Sequence, residues 1–460
     1  MNFIYICKIF TVFYLSNQSS FDMFKIIALA CLITVCAGNS VSGSTPDSKT
    51  PEFDKFTAGS QYFAYPHPAY GVPELTPAPE GYEPFHMEHY GRHGSRWLIS
   101  KSSYTRPLQD LRKADANGKL TPRGKKLLEQ IEVIEAASHN RLGELTPKGH
   151  RQHRGIARRM TRNFPEIFQP GTHVDGKSTM VIRCILSMTN ELAELELFCP
   201  QMTVTCDASR TTQQILNNTN TDEVANRIKD QSMIPRKKFA ESRNDHSEFL
   251  KKIFNDQKFV ADSLDADVFF RKMFDIAVNT QSHDDQPDLY DLFTTRELRN
   301  QWEINNLHWY NEAGNTPYTQ KRVPYNQRLL LRNFIESADT AMTSPRRSAN
   351  LRFGHEVVVL PMTVFMELNN AAVEVEDMEQ LASQWRNYEI FPMASNIQMI
   401  FYRPKNNPRY KPEEVLVKVL LNEAETTLPV KAVSGPYYRW SDLRKYYSDK
   451  LDSFTAKFDE

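Results

Sequence analysis

The sequence predicts an α/β protein, in which a mixed central sheet is flanked by helices and interrupted by an inserted helical domain. Strand-like runs alternate with amphipathic helices before residue 207, a succession typical of a parallel or mixed sheet. From residue 208 to residue 345 the strand signal disappears, and it returns in the last third of the chain. The predicted organisation is a leader at 1–37, a linker at 38–60, an α/β domain in two parts at 61–207 and 346–460, and a helical cap inserted at 208–345.

In the first part of the α/β domain, the run PFHMEHY alternates apolar and polar residues and predicts a strand that ends at Gly91. Three amphipathic helices follow, and two of them begin with threonine and proline, an N-cap followed by a proline at the first helical position. STMVIR predicts a second strand, and CILSMTNELAELELF predicts the helix after it. The three earlier helices lie in PLQDLRKADANGKL, LTPRGKKLLEQIEVIEAA and ELTPKGHRQHRGIARRMTRNFPEIF.

The inserted segment consists of amphipathic helical patterns, and its aromatic residues Trp302, Trp309 and Tyr310 are expected in the core rather than on a ligand platform. Strands are predicted again at NLRFGH, SNIQMIFYR and EEVLVKVLL, which would complete the sheet. The helical patterns of the insertion are DEVANRIKD, HSEFLKKIF, ADVFFRKMFDIAV, LYDLFTTRELRNQWEINNLHWY and NQRLLLRNFIESADTAM.

The charge balance argues against a nucleic-acid partner. Of the 460 residues, 56 are Lys or Arg and 56 are Asp or Glu, so the chain as a whole attracts neither nucleic acid nor an acidic membrane. With 24% charged and 40% hydrophobic residues, the composition is that of a globular protein. Any specificity for anions must therefore be local.

The N-terminus predicts export. Lys25 precedes the apolar run Ile26 to Cys36, and the small residues around Ala37 resemble a cleavage site, the pattern of a signal peptide. The two apolar runs near the N-terminus are each shorter than the ~20 residues that span a bilayer, so no transmembrane span is expected in the mature chain. A start at Met23 would explain why there are two runs, and Cys31 or Cys36 could instead carry a lipid anchor. The predicted location is periplasmic, cell-surface or secreted.

The mature chain keeps three cysteines, Cys184, Cys199 and Cys206, and the spacing of the last two would permit a local disulfide. No pattern resembles a set of zinc ligands. His150 and His153 lie three residues apart on a predicted helix, but no third ligand is evident, so the sequence predicts no metal site.

Three charged clusters follow predicted strands, and each has an ordinary structural interpretation. Arg92-His93-Gly94-Ser95-Arg96 could be a solvated basic turn, Arg183 could cap a helix, and His355-Glu356 could be a satisfied histidine with an exposed glutamate. However, ligands of open α/β sheets bind beyond the carboxyl ends of the strands. The fold would therefore bring the three clusters together.

Together these residues fit phosphoryl transfer through a covalent phosphohistidine. An oriented imidazole is a competent nucleophile near neutral pH, and arginine guanidinium groups stabilise the phosphoryl oxygens. A carboxyl group is needed to protonate the leaving oxygen and then to activate water. This chemistry requires neither a metal nor a cofactor.

The segments HYGRHGSRW, GELTPKGHRQHRGIARRMTRNFPEIF and RCILSM resemble the acid phosphatase branch of the histidine phosphatase superfamily, and within it the multiple inositol polyphosphate phosphatases. The resemblance implies the histidine phosphatase fold, with the inserted segment as a cap that shapes specificity. It also implies roles for six residues. His93 would be the nucleophile, Arg92, Arg96, Arg183 and His355 would bind the phosphoryl group, and Glu356 would be the proton donor.

Two positions depart from the family pattern. Trp97 follows Arg96 where the family commonly has a proline soon after the second arginine. Glu356 stands where aspartate is common and is one methylene longer, whereas the inositol phosphatase subgroup often has His-Ala-Glu. Lys101 and Arg106 could contact peripheral phosphates of a substrate, although solvated side chains are the simpler interpretation.

The predicted function is that of an exported phosphomonoesterase, whose partner is a small phosphorylated molecule such as phytate. Two alternatives remain open at this point. One is a histidine acid phosphatase of broader specificity that acts on sugar phosphates. The other is a catalytically weak protein of the same fold that binds phosphate ligands.

Overall fold

A mixed sheet forms the centre of the computed structural model, which describes residues 53–66, 71–217, 233–317, 322–407 and 409–458. Its strand order is β3-β2-β4-β1-β5-β6-β9-β8, with β7 paired to β6. The strands are β1 (Tyr82–Arg92), β2 (His173–Ser178), β3 (Thr203–Asp207), β4 (Ser348–Gly354), β5 (Asn396–Pro404), β6 (Leu416–Leu421), β7 (Ala424–Glu425), β8 (Ala432–Ser434) and β9 (Tyr437–Arg439). Strands β3, β2, β4 and β1 run parallel, and β5 and β6 continue the sheet antiparallel. The predicted mixed α/β class is confirmed.

The helices of the described ranges pack partly on the two faces of this sheet and partly against one another. They are α1 (Ser102–Ala116), α2 (Pro122–Ser138), α3 (Pro147–Asn163), α4 (Ile182–Phe198), α5 (Gln213–Leu216), α6 (Met233–Glu241), α7 (Ser247–Ile253), α8 (Gln257–Ser263), α9 (Ala266–Asn279), α10 (Thr295–Ala313), α11 (Arg322–Tyr325), α12 (Arg328–Thr343), α13 (Glu356–Phe365), α14 (Leu381–Gln384), α15 (Asn387–Ile390) and α16 (Trp440–Phe458). Apolar residues of α3 and α4 pack on one face, and those of α12, α13 and α16 on the other. Strand β1 is buried on both faces, which suits its place in the middle of the sheet.

The predicted helix starts at threonine are confirmed. The hydroxyl of Thr121 accepts from Gly124 N, and that of Thr146 accepts from Gly149 N, so each satisfies a backbone donor in the first turn. Proline at the first helical position lacks the N–H that would otherwise be unpaired there.

The second predicted strand is placed wrongly. The strand is His173–Ser178 and shares only Ser178 with STMVIR, while helix α4 already begins at Ile182, so Arg183 lies in a first helical turn. The apolar run misled the prediction because Met180 and Ile182 are exposed. In the true strand, apolar and polar residues alternate only weakly, because its buried positions are Val174, Gly176 and Ser178.

In the described part of segment 208–345, the regular elements are helices. Trp302 and Tyr310 are buried in the core as predicted, while Trp309 is partly buried and packs against it. The division into catalytic domain and cap remains a prediction. DEVANRIKD lies outside the described residues.

Two other expectations concern the leader and the cysteines. The leader, with Lys25, Cys31 and Cys36, lies outside the described residues. Across the described ranges, no helix is long and apolar enough to cross a membrane. The disulfide that the spacing of Cys199 and Cys206 would permit is not formed; Cys199 is buried and Cys206 is exposed.

Candidate active site

The parallel pairing of β1 with β4 brings the first and last charged clusters together. Arg92 pairs with Gly354 at the carboxyl ends of the two strands, and His93 N donates to Gly354 O at 3.0 Å. On the other side of β4, Ser178 at the end of β2 pairs with Phe353. The three strands thus end at one edge, as the rule for open α/β sheets requires.

The imidazole of His93 is held in one tautomer. Its Nδ1 lies 2.9 Å from Gly94 O, and since a carbonyl only accepts, Nδ1 carries the proton. Nε2 therefore keeps its lone pair, has no hydrogen-bond partner among the described residues, and lies 3.7 Å from Glu356 Oε2. Burial, and then the charges of Arg92, Arg183 and Arg96, hold the pKa of His93 well below its usual value. The ring is therefore neutral, and the lone pair of its Nε2 is available for nucleophilic attack.

Arg92 is the most firmly held of the three arginines. Its NH1 donates to Gln61 O at 2.7 Å and to Phe391 O at 2.8 Å, and its Nε donates to Glu356 Oε2 at 3.1 Å. Arg96 donates from NH1 to Trp97 O at 3.0 Å, and its guanidinium lies 5.4 Å from the centre of the Tyr62 ring.

Each of these guanidinium groups keeps a donor unused. Within the described ranges, Arg92 NH2, Arg96 Nε and Arg183 Nε are buried without a hydrogen-bond partner. Buried polar atoms are nearly always paired, so a cluster of unpaired cationic donors indicates a site for an anion.

His355 and Glu356 complete the pocket. The His355 ring lies 5.7 Å from the His93 ring, and its Nε2 is 3.3 Å from Thr179 Oγ1. Burial and the arginine charges lower the pKa of His355 to about 4, against the opposing charge of Glu356. Burial alone would raise the pKa of Glu356, but the charges of Arg92 and Arg96 outweigh it and lower the pKa to about 2.

Helices α3 and α4 hold the loop after β1. Gly94 N donates to Ser187 Oγ at 3.2 Å, and Ser95 N donates to Gln152 Oε1 at 2.7 Å. The Ser187 hydroxyl also donates to Arg183 O at 2.8 Å, so one side chain joins the His93 loop to the turn that carries Arg183. At Gly94 a Cβ atom would lie 2.6 Å from Gly149 O, which explains the need for glycine.

Known proteins share this architecture. Multiple inositol polyphosphate phosphatase 1 of Homo sapiens is 26% identical over 219 residues, 44% of this chain and 42% of that protein, so the match spans less than half of the curated relative's length. The crystal structure of Bifidobacterium longum multiple inositol polyphosphate phosphatase with inositol hexasulfate aligns with a TM-score of 0.67 at 17% identity, over 86% of this chain and 98% of that one. The phytase from D. castellii aligns with a TM-score of 0.63 at 14% identity, over 86% of this chain and 85% of that one. No protein-family model matches the chain.

The chain has the histidine phosphatase fold. The resemblance to the acid phosphatase branch, with the multiple inositol polyphosphate phosphatases as relatives, is confirmed. All six residues to which the resemblance assigns roles lie in or beside the pocket at the carboxyl ends of β1, β2 and β4. Their individual roles remain predictions.

Four other candidate residues from the sequence, Lys101, Arg106, His150 and His153, have surroundings of their own in this histidine phosphatase fold. Lys101 is exposed, and Arg106 is exposed with NH2 3.6 Å from Asp265 Oδ2. His150 Nδ1 accepts from Asn190 at 2.7 Å, and buried His153 pairs with Glu191 at 2.6 Å. Each histidine therefore has its own partner on α4.

Trp97, which follows Arg96 directly, packs its ring 4.3 Å from the His283 ring, measured between ring centres. Arg141 lies over the same indole at 5.6 Å. The tryptophan therefore fixes the end of the signature loop against the segment after α9.

The pocket favours an anion over a metal ion. Ligand atoms of His93, His355 and Glu356 lie within 4.8 Å of one another, close enough for a metal. However, three guanidinium groups surround them, and the resulting positive potential opposes a divalent cation.

Sequence reasoning missed four residues that position the site: Gln61, Gln152, Thr179 and Ser187. Gln61, Gln152 and Thr179 each form one hydrogen bond with a residue of the three charged clusters, and Ser187 forms two. Thr179 and Ser187 lie four residues before and four residues after Arg183, and this spacing was the one signal in the sequence that could have found them. Gln61 acts through its backbone carbonyl, for which the side-chain sequence carries no signal.

Proposed function

We propose that the protein is an exported histidine-type phosphatase, which removes phosphate from inositol polyphosphates such as phytate through a phosphohistidine on His93. One observation carries the proposal. The Nε2 of His93 has no hydrogen-bond partner among the described residues and lies 3.7 Å from a carboxylate, and each of the three arginines near it has a buried donor atom without a partner. This is the arrangement that phosphoryl transfer to a histidine requires, since it combines a nucleophile, an anion clamp and an acid.

The reaction proceeds in two steps. His93 Nε2 attacks phosphorus as the P–O bond to the alcohol breaks, and protonated Glu356 gives its proton to the departing oxygen. Glu356 as a carboxylate then takes a proton from a water molecule. The oxygen of that water attacks the phosphohistidine, which releases phosphate and neutral His93. Arg92, Arg96 and Arg183 stabilise the negative charge on the phosphoryl oxygens throughout.

The low pKa of Glu356 is compatible with this acid role. In the site without ligand, Arg92 and Arg96 hold its pKa at about 2, so the group is ionised. A bound phosphoryl dianion would neutralise the two arginine charges and add a negative charge beside Glu356, and both effects raise the pKa. Protonation of Glu356 is therefore coupled to substrate binding.

The relatives support the substrate class. The curated human relative is named for action on multiple inositol polyphosphates, and the Bifidobacterium longum structure contains inositol hexasulfate, an analogue of a fully phosphorylated inositol. Phosphate esters of this type are small anions that suit a clamp of three arginines. Export rests on the leader, where Lys25 precedes the apolar run Ile26 to Cys36.

Phosphate release from phytate tests the proposal. The purified mature chain should release phosphate, and His93→Ala should lower the rate at least about 1,000-fold, because the nucleophile is lost. A rate on glucose 1-phosphate that exceeds the rate on phytate would favour the broader phosphatase. Full activity of His93→Ala would refute the mechanism.

A further inference from the structure

Three segments beside Arg183 carry exposed apolar side chains that phosphate chemistry does not need. Among the described residues, nine large apolar side chains are exposed, and four of them lie on three segments beside Arg183. We call these four the apolar rim: Ile99, Leu142, Met180 and Ile182. The exposed fractions are 57%, 39%, 48% and 70%. Single exposed apolar residues are ordinary, whereas a group around one site indicates a binding surface.

The apolar rim adjoins the phosphate clamp directly. A Cβ atom on Gly143, the residue after Leu142, would lie 3.6 Å from Arg183 NH1 and 3.7 Å from Ile99 Cγ1. The Gly143 backbone also joins these segments, since its N donates to Leu98 O at 3.1 Å. Ile182, the first residue of α4, directly precedes Arg183, and Met180 lies two residues before Ile182. The three segments of the rim therefore lie beside Arg183, one of the residues that would bind the phosphate.

The chemistry of the rim does not match a polyanion. An inositol polyphosphate gains from cationic side chains around its other phosphates, and the four rim side chains offer none. Of the nearby cations, Arg141 is paired with its neighbour Glu144 at 3.0 Å, and Lys101 is exposed two residues beyond Ile99. Apolar surface instead stabilises alkyl or aryl groups, by about fourfold in affinity for each methylene that is fully buried.

We propose that the apolar rim binds an alkyl or aryl group attached to the phosphate, so that amphiphilic phosphate monoesters form a second class of ligand for this site. The inference depends on the proposed function only in that His93 and the arginines bind the phosphoryl group. It concerns binding of the organic part, so turnover is not needed to test it.

Calorimetric titration with n-alkylphosphonates from methyl to hexyl tests the rim, because their C–P bond is not hydrolysed. The wild-type chain should bind about two- to threefold more tightly for each added methylene, since an open rim buries each one partly. Met180→Gln/Ile182→Ser should remove this dependence on chain length and leave the affinity for methylphosphonate unchanged. Leu197→Ser is the matched control, because Leu197 is also 70% exposed and lies at the other end of α4.

Several results would overturn the proposal: equal affinities along the series for the wild-type chain, the same dependence in the double variant, or no binding of any phosphonate. Sedimentation with phosphatidylcholine vesicles that needs Met180 and Ile182, without dependence on chain length, would assign the rim to a membrane surface instead. Phosphate release from phytate, measured in parallel, judges the proposed function separately. A chain that hydrolyses phytate but shows no chain-length dependence refutes the rim alone, and the converse result refutes only the inositol polyphosphate substrate.

Discussion

Two carboxylates, one on β1 and one just after β4, have similar charged surroundings but differ in how many hydrogen bonds they accept. Glu88 on β1 and Glu356 after β4 each lie beside an arginine, and in each case the pKa falls to about 2 although burial alone would raise it. Glu88 accepts from His86, Ser337 and Asn350 at 2.8, 2.6 and 2.9 Å, and from Arg352 as well.

Glu356 has a different neighbourhood. It accepts from Arg92 Nε and remains 16% exposed, while the described donors around it, on Arg92, Arg96 and Arg183, include atoms without partners. A buried acid beside an arginine therefore does not by itself mark a functional site. The unused hydrogen-bonding capacity around Glu356 is what distinguishes it from Glu88.

The largest difference between the two carboxylates should appear in turnover. Glu356→Gln should lower kcat for phytate by about 100- to 10,000-fold, because an amide cannot give a proton to the leaving oxygen. Steady-state phosphate release measures it. Because Glu356 also activates water in the second step, the first step is compared by single-turnover release of the alcohol or of nitrophenolate. In that step the loss should be smaller for 4-nitrophenyl phosphate, since nitrophenolate leaves without a proton. Equal losses in the first step on both substrates would contradict the donor role, and Glu356→Asp should recover part of the rate.

The corresponding change at Glu88 should act on stability. Glu88→Gln leaves Arg352 buried without its counter-ion, so the free energy of unfolding should fall by about 3–5 kcal/mol, as when other buried pairs are broken. Denaturant unfolding measures the change, and activity per folded molecule should stay the same. Ser337→Ala, which removes one neutral hydrogen bond to Glu88, should cost about 1 kcal/mol. An unchanged unfolding midpoint for Glu88→Gln would contradict the structural role.

Acid should reveal the same pairing at Glu88. The pKa of Glu88 in the folded chain is about 2, below the ordinary value near 4.3. Its contribution to the free energy of unfolding is therefore full above about pH 4.3 and is lost as pH falls towards 2. A carboxyl pKa that is about 2 lower in the folded than in the unfolded chain stabilises the fold by about 3 kcal/mol. Between pH 5 and pH 2, the wild-type chain should therefore lose about 3 kcal/mol more unfolding free energy than Glu88→Gln. Parallel losses would show that Glu88 is not the group involved.

The smallest effect should come from the residue that links the two halves of the clamp. Ser187→Ala removes the acceptor for Gly94 N and the donor to Arg183 O, and it should lower kcat/KM about fivefold, near the 1 kcal/mol of one hydrogen bond. Ser337→Ala at the Glu88 cluster should leave kcat/KM unchanged. If both variants lose activity equally, the linkage through Ser187 is not specific to the site.

The ends of the strands and the charged clusters could be predicted from the sequence, because both have strong local signals. An apolar strand followed by RHGSR, or by His355-Glu356, can be recognised in the sequence. Parallel pairing of β1 with β4 then brings these two clusters together. Strand β2 was misplaced because HVDGKS has one large apolar residue, whereas the neighbouring Met180 and Ile182 belong to an exposed surface.

The anchoring of Arg92 was beyond prediction for another reason. Its NH1 is held by the backbone carbonyls of Gln61 and Phe391, about 30 and 300 residues away in the chain. Any residue type could supply such an acceptor, so no side-chain pattern records it. The unused donors of the arginines are likewise a property of the assembled pocket.

The position of β1 between β4 and β5 has a consequence for folding. Arg92 N is paired with Ser395 O and His93 N with Gly354 O, so the signature loop takes its shape from chain that is synthesised about 260 to 300 residues later. Contacts this distant in sequence form late, after the local helices. A growing chain that has passed RHGSRW but not yet reached Asn396 lacks β5 and its pairing with β1. Turnover would therefore report that β4 and β5 have paired with β1, and chains that end before Asn396 should be inactive in a phosphatase assay.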